Sequence, residues 1–182
     1  PRLETMSNET LVEAGALAFF KDLQPSASDF RADVLAGLRK PQKAISPKYF
    51  YDAAGSAIFD RITQAPEYYP TRTELALLER IGPELNALAG SGAVVLEPGA
   101  GSSVKIRQLL DALDHPAGFV GMDISGDHVK AACADIASDH PDLTVGAVCH
   151  DFTQTLDLSA LSIPEGRRIV FFPGSTIGNF EL

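Results

Sequence analysis

Apolar residues change their spacing about midway along this chain. In the first half they recur at helical intervals, and in the second they gather into short runs separated by helical stretches. Leu11, Ala14, Leu17 and Ala18, with Phe20 beside them, predict a helix over 10–23. Ser28 is a plausible cap for a second helix over 28–40, which carries Phe30, Val34 and Leu38 and stops at Pro41. A short helix is expected over 55–63, with Ile58, Phe59 and Ile62 turned inward. Thr71-Arg72-Thr73-Glu74 fits a capping box, opening a helix that bears Leu75, Leu78, Ile81 and Leu85 and that Pro83 should kink or break.

The pattern then changes. Val94-Val95-Leu96 is a short β-branched run of the kind buried on both faces of a sheet. It ends in Glu97 and turns through Pro98-Gly99-Ala100-Gly101 into a helix over 102–113. Residues 119–122 form a second apolar run, ending at Asp123, and Ser125 opens the next helix, with Val129, Ala132, Cys133 and Ile136 inward. Leu143, Val145, Ala147 and Cys149 alternate as a third strand, and 168–172 reads as a fourth. Strand, helix, strand, helix, strand and strand, in this order, predict an α/β fold: a parallel sheet with crossover helices. Ligands of such sheets bind beyond the carboxyl ends of the strands, where Glu97, Asp123, Asp151 and Asn179 fall.

The loop after the first of these strands is a candidate ligand cradle. Gly99 and Gly101 have no Cβ, so backbone can turn sharply and approach a ligand, and the following helix start offers free N–H groups. A dinucleotide fingerprint places a third glycine where this chain has Val104, which weighs against NAD or FAD. A carboxylate at the strand end suits a positively charged ligand such as S-adenosylmethionine, which has no phosphate for Glu97 to repel. Asp123 lies 22 residues beyond Gly101, the position of an acid that accepts from both ribose hydroxyls; the alternative is a turn or helix-capping residue.

Composition narrows the field. The 182 residues carry a formal net charge of −9 with no basic run, which disfavours nucleic-acid and anionic-membrane partners. No apolar stretch reaches transmembrane length and no signal-peptide pattern opens the chain, so a cytoplasmic location is the default expectation. Cys133 and Cys149 read as reduced, buried thiols, and the four histidines show no metal-ligand spacing. Between 46 and 74, Tyr49, Phe50, Tyr51, Tyr68 and Tyr69 crowd into a segment with three prolines. Such rings either pack a helical cap onto the domain or face a substrate.

The segments LEPGAGSSVK, MDIS, CHDF and FFPGSTIGN, with YDAAGSAIFDRIT and PEYYPTRTE upstream, resemble the L-histidine Nα-methyltransferases of ergothioneine biosynthesis. The similarity runs from about Ser46 to the end. It implies a Rossmann-like class I methyltransferase core over 91–182, the first four strands of its sheet, under a helical cap or lid over 1–90. It implies trimethylation of the α-amino group of histidine to hercynine, with S-adenosylmethionine as donor. Matched position by position, it implies cofactor contacts from Gly99, Lys105, Asp123, Asp151 and Phe152, which join Glu97 and Gly101 of the cradle as expected cofactor-binding residues. Lys105 would pair with the methionine carboxylate or else be a solvated helix lysine. Asp151 would accept from the adenine amino group with Phe152 against the purine, or else the two would be a strand-end turn and a core ring. Tyr68 and Asn179 would bind and orient the amino acid, joined by Tyr51; no general base is identified. The loop EPGAGSS and the strand end MDIS depart from the family's usual residues without removing a contacting group. The chain ends just after its fourth expected strand and so reads as an amino-terminal portion. The competing readings are a nicotinamide-dependent oxidoreductase on a similar sheet, and a cofactor-binding fragment without activity.

Overall fold

The structure, a computed structural model, describes residues 16–23, 30–50, 53–101 and 103–179. Five parallel strands form one sheet: β1 (Phe19–Asp22), β2 (Val94–Pro98), β3 (Gly118–Asp123), β4 (Thr144–Cys149) and β5 (Arg168–Val170). The helices are α1 (Phe30–Arg39), α2 (Ala53–Thr63), α3 (Pro70–Ala89), α4 (Ser103–Ala112) and α5 (Gly126–Asp139). The strand order is β1-β4-β3-β2-β5. From β2 the chain steps outward through β3 to β4, then crosses back to lay β5 on the other side of β2. The β2–β5 gap is therefore the topological switch point, where crevices open in sheets of this kind.

Side-chain alternation sorts the core into two layers. Val95, Phe119, Val145 and Ala147 face the helices, where they meet Ile106, Leu109 and Leu110 of α4 and Val129, Cys133 and Ile136 of α5. Val94, Leu96, Val120, Met122 and Val148 face the other way, against Leu161 and its neighbours Leu158 and Ile163 in the β4–β5 crossover. That crossover contains only a single 3₁₀ turn, Leu158–Ala160. Alternate β2 residues thus enter opposite layers, as its unbroken apolar run requires.

Several expectations are corrected. Residues 19–22, placed in a helix over 10–23 by spacing, form the edge strand β1, in register with Gly146 to Cys149 of β4; residues 10–15 of that stretch lie outside the described residues. The expected helix over 28–40 is seen over 30–39, and Ser28 lies outside the described residues. Ile58, Phe59 and Ile62 of α2 are exposed rather than inward. Helix α3 begins at Pro70, and Tyr69 at its N-cap makes no side-chain cap hydrogen bond, so the Thr71–Glu74 capping box is not formed. Proline at the first helical position costs no hydrogen bond there, which explains the earlier start. Pro83 does not end the helix: α3 runs unbroken to Ala89, with Pro83 on its exposed side. At the adjoining Gly82, a Cβ would stand 3.1 Å from the Ala112 Cβ, so α3 packs closely on α4. Val104, an apolar residue of the expected helix over 102–113, is 56% exposed rather than packed.

Candidate active site at the switch point

The tips of β2, β3 and β4 are laced together by backbone. Gly99 N–H and Ala100 N–H both donate to the Met122 carbonyl, at 2.7 and 3.0 Å, and His150 N–H donates to the Asp123 carbonyl at 2.9 Å. Gly99 has φ +73, and a side chain there would meet Phe152 at 3.6 Å as well as adopt a strained backbone. Gly101 accepts at its carbonyl from His128 Nε2, 3.0 Å away, which assigns the proton to that nitrogen. The two loop glycines thus lie against the loop after β4 and the first turn of α5.

Glu97 follows Val95 in the alternation, so its carboxyl enters the helix-side layer among Ala100, Ser103, Ile106 and Cys133. It is 2% exposed, and burial pushes its pKa up to about 8, against a lowering influence from Lys105. The carboxyl group is therefore mostly protonated at neutral pH. Close to it, the Cys133 thiol is raised to about 12, chiefly by burial. Cys133 and Cys149 are both free and buried, in line with the sequence reading.

Asp123 sits at the β3 tip, its pKa raised by burial against the lowering effect of the Ser125 N–H, His128 and the Ile124 N–H. Its Oδ1 accepts from Ser125 N–H at 2.9 Å, forming a turn into α5. Asp151 does the same one strand over, its Oδ1 accepting from the N–H (3.0 Å) and hydroxyl (2.6 Å) of Thr153. Local turns at both strand tips fix these carboxyl groups in orientation. The Phe152 ring packs edge-on against Phe172, with centroids 5.6 Å apart, joining the loop after β4 to the chain after β5. A cavity of about 180 Å³ opens beside them, lined by Pro98, Met122, His150, Phe152 and Val170 among others.

Lys105, one turn into α4, forms an ion pair with Glu74 of α3 and is not a solvated lysine; its side chain is 14% exposed. The other Glu74 oxygen accepts from Gly174 N–H at 2.8 Å. Gly174 and Ser175 take φ +81 and +61, a left-handed pair that turns the chain into the 3₁₀ segment Thr176–Asn179. Asn179 ends that segment. Tyr68 precedes α3 and packs edge-on against Phe59 at 6.2 Å. The turn before it is held by Arg72, which donates to the carbonyls of Ala65 (3.0 Å) and Pro66 (2.6 Å). Tyr51 lies outside the described residues.

Glu97 and Asp123 therefore stand at the ends of β2 and β3, Gly99 and Gly101 in the loop after β2, Lys105 in the first turn of α4, and Asp151 and Phe152 in the loop after β4. Sequence reasoning missed Glu74 as a site residue, taking it for a cap, and did not single out Arg72 or His128. The signal available was PEYYPTRTE itself, where Arg72 and Glu74 stand two apart in a segment that carries the family resemblance. Among the described residues no group of His, Cys, Asp or Glu is arranged to hold a metal, and no helix is long and apolar enough to cross a membrane.

Comparison with known proteins identifies the family. A family model described as histidine-specific methyltransferase, SAM-dependent, matches residues 30–182. The histidine N-alpha-methyltransferase of Mycolicibacterium smegmatis is 43% identical over 168 residues, 90% of this chain and 51% of that protein. Its counterpart in Mycobacterium tuberculosis is 42% identical, over 82% of this chain and 46% of that protein. Ergothioneine biosynthesis protein 1 of Neurospora crassa is 30% identical, over 72% of this chain and 15% of that protein. The chain spans about half the length of the two mycobacterial relatives. With a parallel sheet whose strand tips converge at a glycine loop, and a family match over most of its residues, the chain belongs to the SAM-dependent histidine-specific methyltransferases.

Proposed function

We propose that the protein of which this chain forms at least a part methylates the α-amino group of L-histidine, with S-adenosylmethionine as donor and hercynine as the final product. The observation that supports this reading is Gly99 against Phe152 beside the strand that ends in Asp123, with Lys105 next to the loop after β5, in a chain of this family. The nicotinamide alternative lacks both the third loop glycine and any support from the relatives.

The residues present fit the cofactor. A glycine with φ +73 leaves the space that a Cβ would fill, an ammonium stands at the start of α4, and an acid ends β3. When bound, the cofactor supplies an electrophilic methyl group on sulfur. Lys105 would hold its carboxylate, Asp123 would accept from the ribose hydroxyls, Asp151 would accept from the adenine amino group, and Phe152 would stack on the purine. Glu97, behind the loop, is poised to ionise beside positive charge, since its pKa lies close to the working pH. Tyr68 and Asn179 orient the amino acid so that its amine lone pair points along the line of displacement. Alignment of this kind supplies on the order of 7–11 kcal/mol of barrier reduction. The α-ammonium must lose a proton before each transfer, and Tyr68 or water relays it.

Calorimetry with S-adenosylmethionine and S-adenosylhomocysteine tests the cofactor half, and mass spectrometry of incubated amino acids tests the acceptor half. The expected result is cofactor binding and the stepwise addition of one, two and three methyl groups to histidine. A full-length protein that binds neither nucleoside, or that methylates other amino acids in preference to histidine, overturns the corresponding half.

A further inference from the structure

The contacts of Glu74 go beyond an ordinary surface ion pair. One carboxylate oxygen takes the Lys105 ammonium from α4, and the other takes the backbone N–H of Gly174 from the loop after β5. α4 follows β2 and this loop follows β5, so the two partners flank the switch point, and α3 supplies the bridge between them. Both partners need an external anchor. Lys105 has a long flexible stem, and an unanchored ammonium samples many rotamers. The turn at Gly174 and Ser175 has two successive positive φ values, one at a non-glycine residue, a conformation that persists only when its surroundings hold it. A Cβ on Gly174 would stand 3.4 Å from the Lys105 Nζ, so turn and ammonium are already neighbours.

We infer that Glu74 is a positioning residue for methyl transfer: it aims the Lys105 ammonium into the cofactor crevice and clamps the turn that leads to Asn179. This rests on the cofactor reading above, in which Lys105 meets the carboxylate of the methionine moiety. Glu74 touches neither cofactor nor acceptor and acts through the groups it holds. Its two oxygens do different work, so glutamine, with one oxygen and one NH₂, cannot replace it: whichever way the amide turns, a donor faces a donor.

The experiment compares Glu74→Gln and Glu74→Ala with the wild type in the full-length protein. It measures thermal midpoints and the affinities of two probes, S-adenosylhomocysteine and 5′-methylthioadenosine. Only the first carries the amino-acid carboxylate that Lys105 would meet. The expected result is folded variants with S-adenosylhomocysteine affinity about tenfold weaker and 5′-methylthioadenosine affinity unchanged, the loss typical of a charge-assisted hydrogen bond. KM for the acceptor should rise with both substitutions, because the turn before Asn179 loses its clamp. Equal weakening of both nucleosides means that Glu74 only supports the fold of the crevice, and overturns the inference. So does unchanged affinity for both. Where the alanine variant fails to fold, the near-isosteric glutamine variant alone decides the matter. A wild type that binds neither nucleoside fails the cofactor reading itself, and the inference with it; a wild type that binds both keeps that reading whatever the variants do.

Discussion

At the scale of single residues, burial decides the chemistry. Glu97 ends a strand whose other residues are apolar, and the alternation that buries Val95 carries its carboxyl into the same layer. With a pKa raised from 4.5 to about 8, the folded chain holds a proton there that the unfolded chain releases. Between those two values the native state binds more protons, so this group's contribution makes stability fall as pH rises from about 5 to about 8. Across that window the loss amounts to a few kcal/mol at most. Glu97→Gln keeps the shape and removes the titration. Thermal midpoints of wild type and variant should be similar near pH 5 and diverge towards pH 8, with the variant the more stable. Parallel curves across that range count against a buried, proton-retaining Glu97. The position of this acid at a strand end was legible, because a polar residue closing an apolar run is visible in sequence. Its depth was not, because it depends on α4 and α5 closing over it.

At the scale of elements, the regular parts of the core were legible and the edge was not. The runs 94–96, 119–122 and 143–149 carry their own β-branched signal, and all three became central strands. The sequence Phe19-Phe20-Lys21-Asp22 has no such signal, and helical spacing upstream of it pointed the wrong way. Its conformation comes from its partner. Phe19 stands opposite Gly146 of β4, and a Cβ built on Gly146 would fall inside the Phe19 ring. The missing side chain on β4 is therefore the seat of the β1 ring, a long-range complementarity that no local window contains. Gly146→Ala should push Phe19 out and cost about 1–3 kcal/mol. The loss should fall mainly on β1: hydrogen exchange should speed up at the amides of Ala18 and Leu23, which donate to Val145 and Cys149. Exchange at the β2–β3 ladder should change far less, and a uniform rise across the sheet would sink this account. The same dependence on context explains α2, whose helical spacing was readable while the exposure of Ile58, Phe59 and Ile62 was not.

At the scale of the whole molecule, charge and topology select the same class of ligand. The chain carries a formal charge of −9. The site proposed above combines the acidic side chains of Glu74, Asp123 and Asp151 with the ammonium of Lys105, so acids outnumber that cation among the residues assigned to it. S-adenosylmethionine carries a sulfonium and an ammonium against one carboxylate and is a net cation, whereas S-adenosylhomocysteine is neutral overall and nicotinamide dinucleotides are anions. Opposite charge raises the encounter rate, and salt removes the advantage by shortening the screening length from about 30 Å at 0.01 M to about 8 Å at 0.15 M. The association rate of S-adenosylmethionine should therefore fall several-fold over that range while that of S-adenosylhomocysteine stays nearly flat. The dissociation rates should change less, since contacts inside the crevice are screened less than the approach to it. Equal salt slopes for the two nucleosides would show that the charge of the chain does not steer the donor. A slope of opposite sign for S-adenosylmethionine would place positive potential at the crevice mouth, contrary to the acids that end β3 and follow β4.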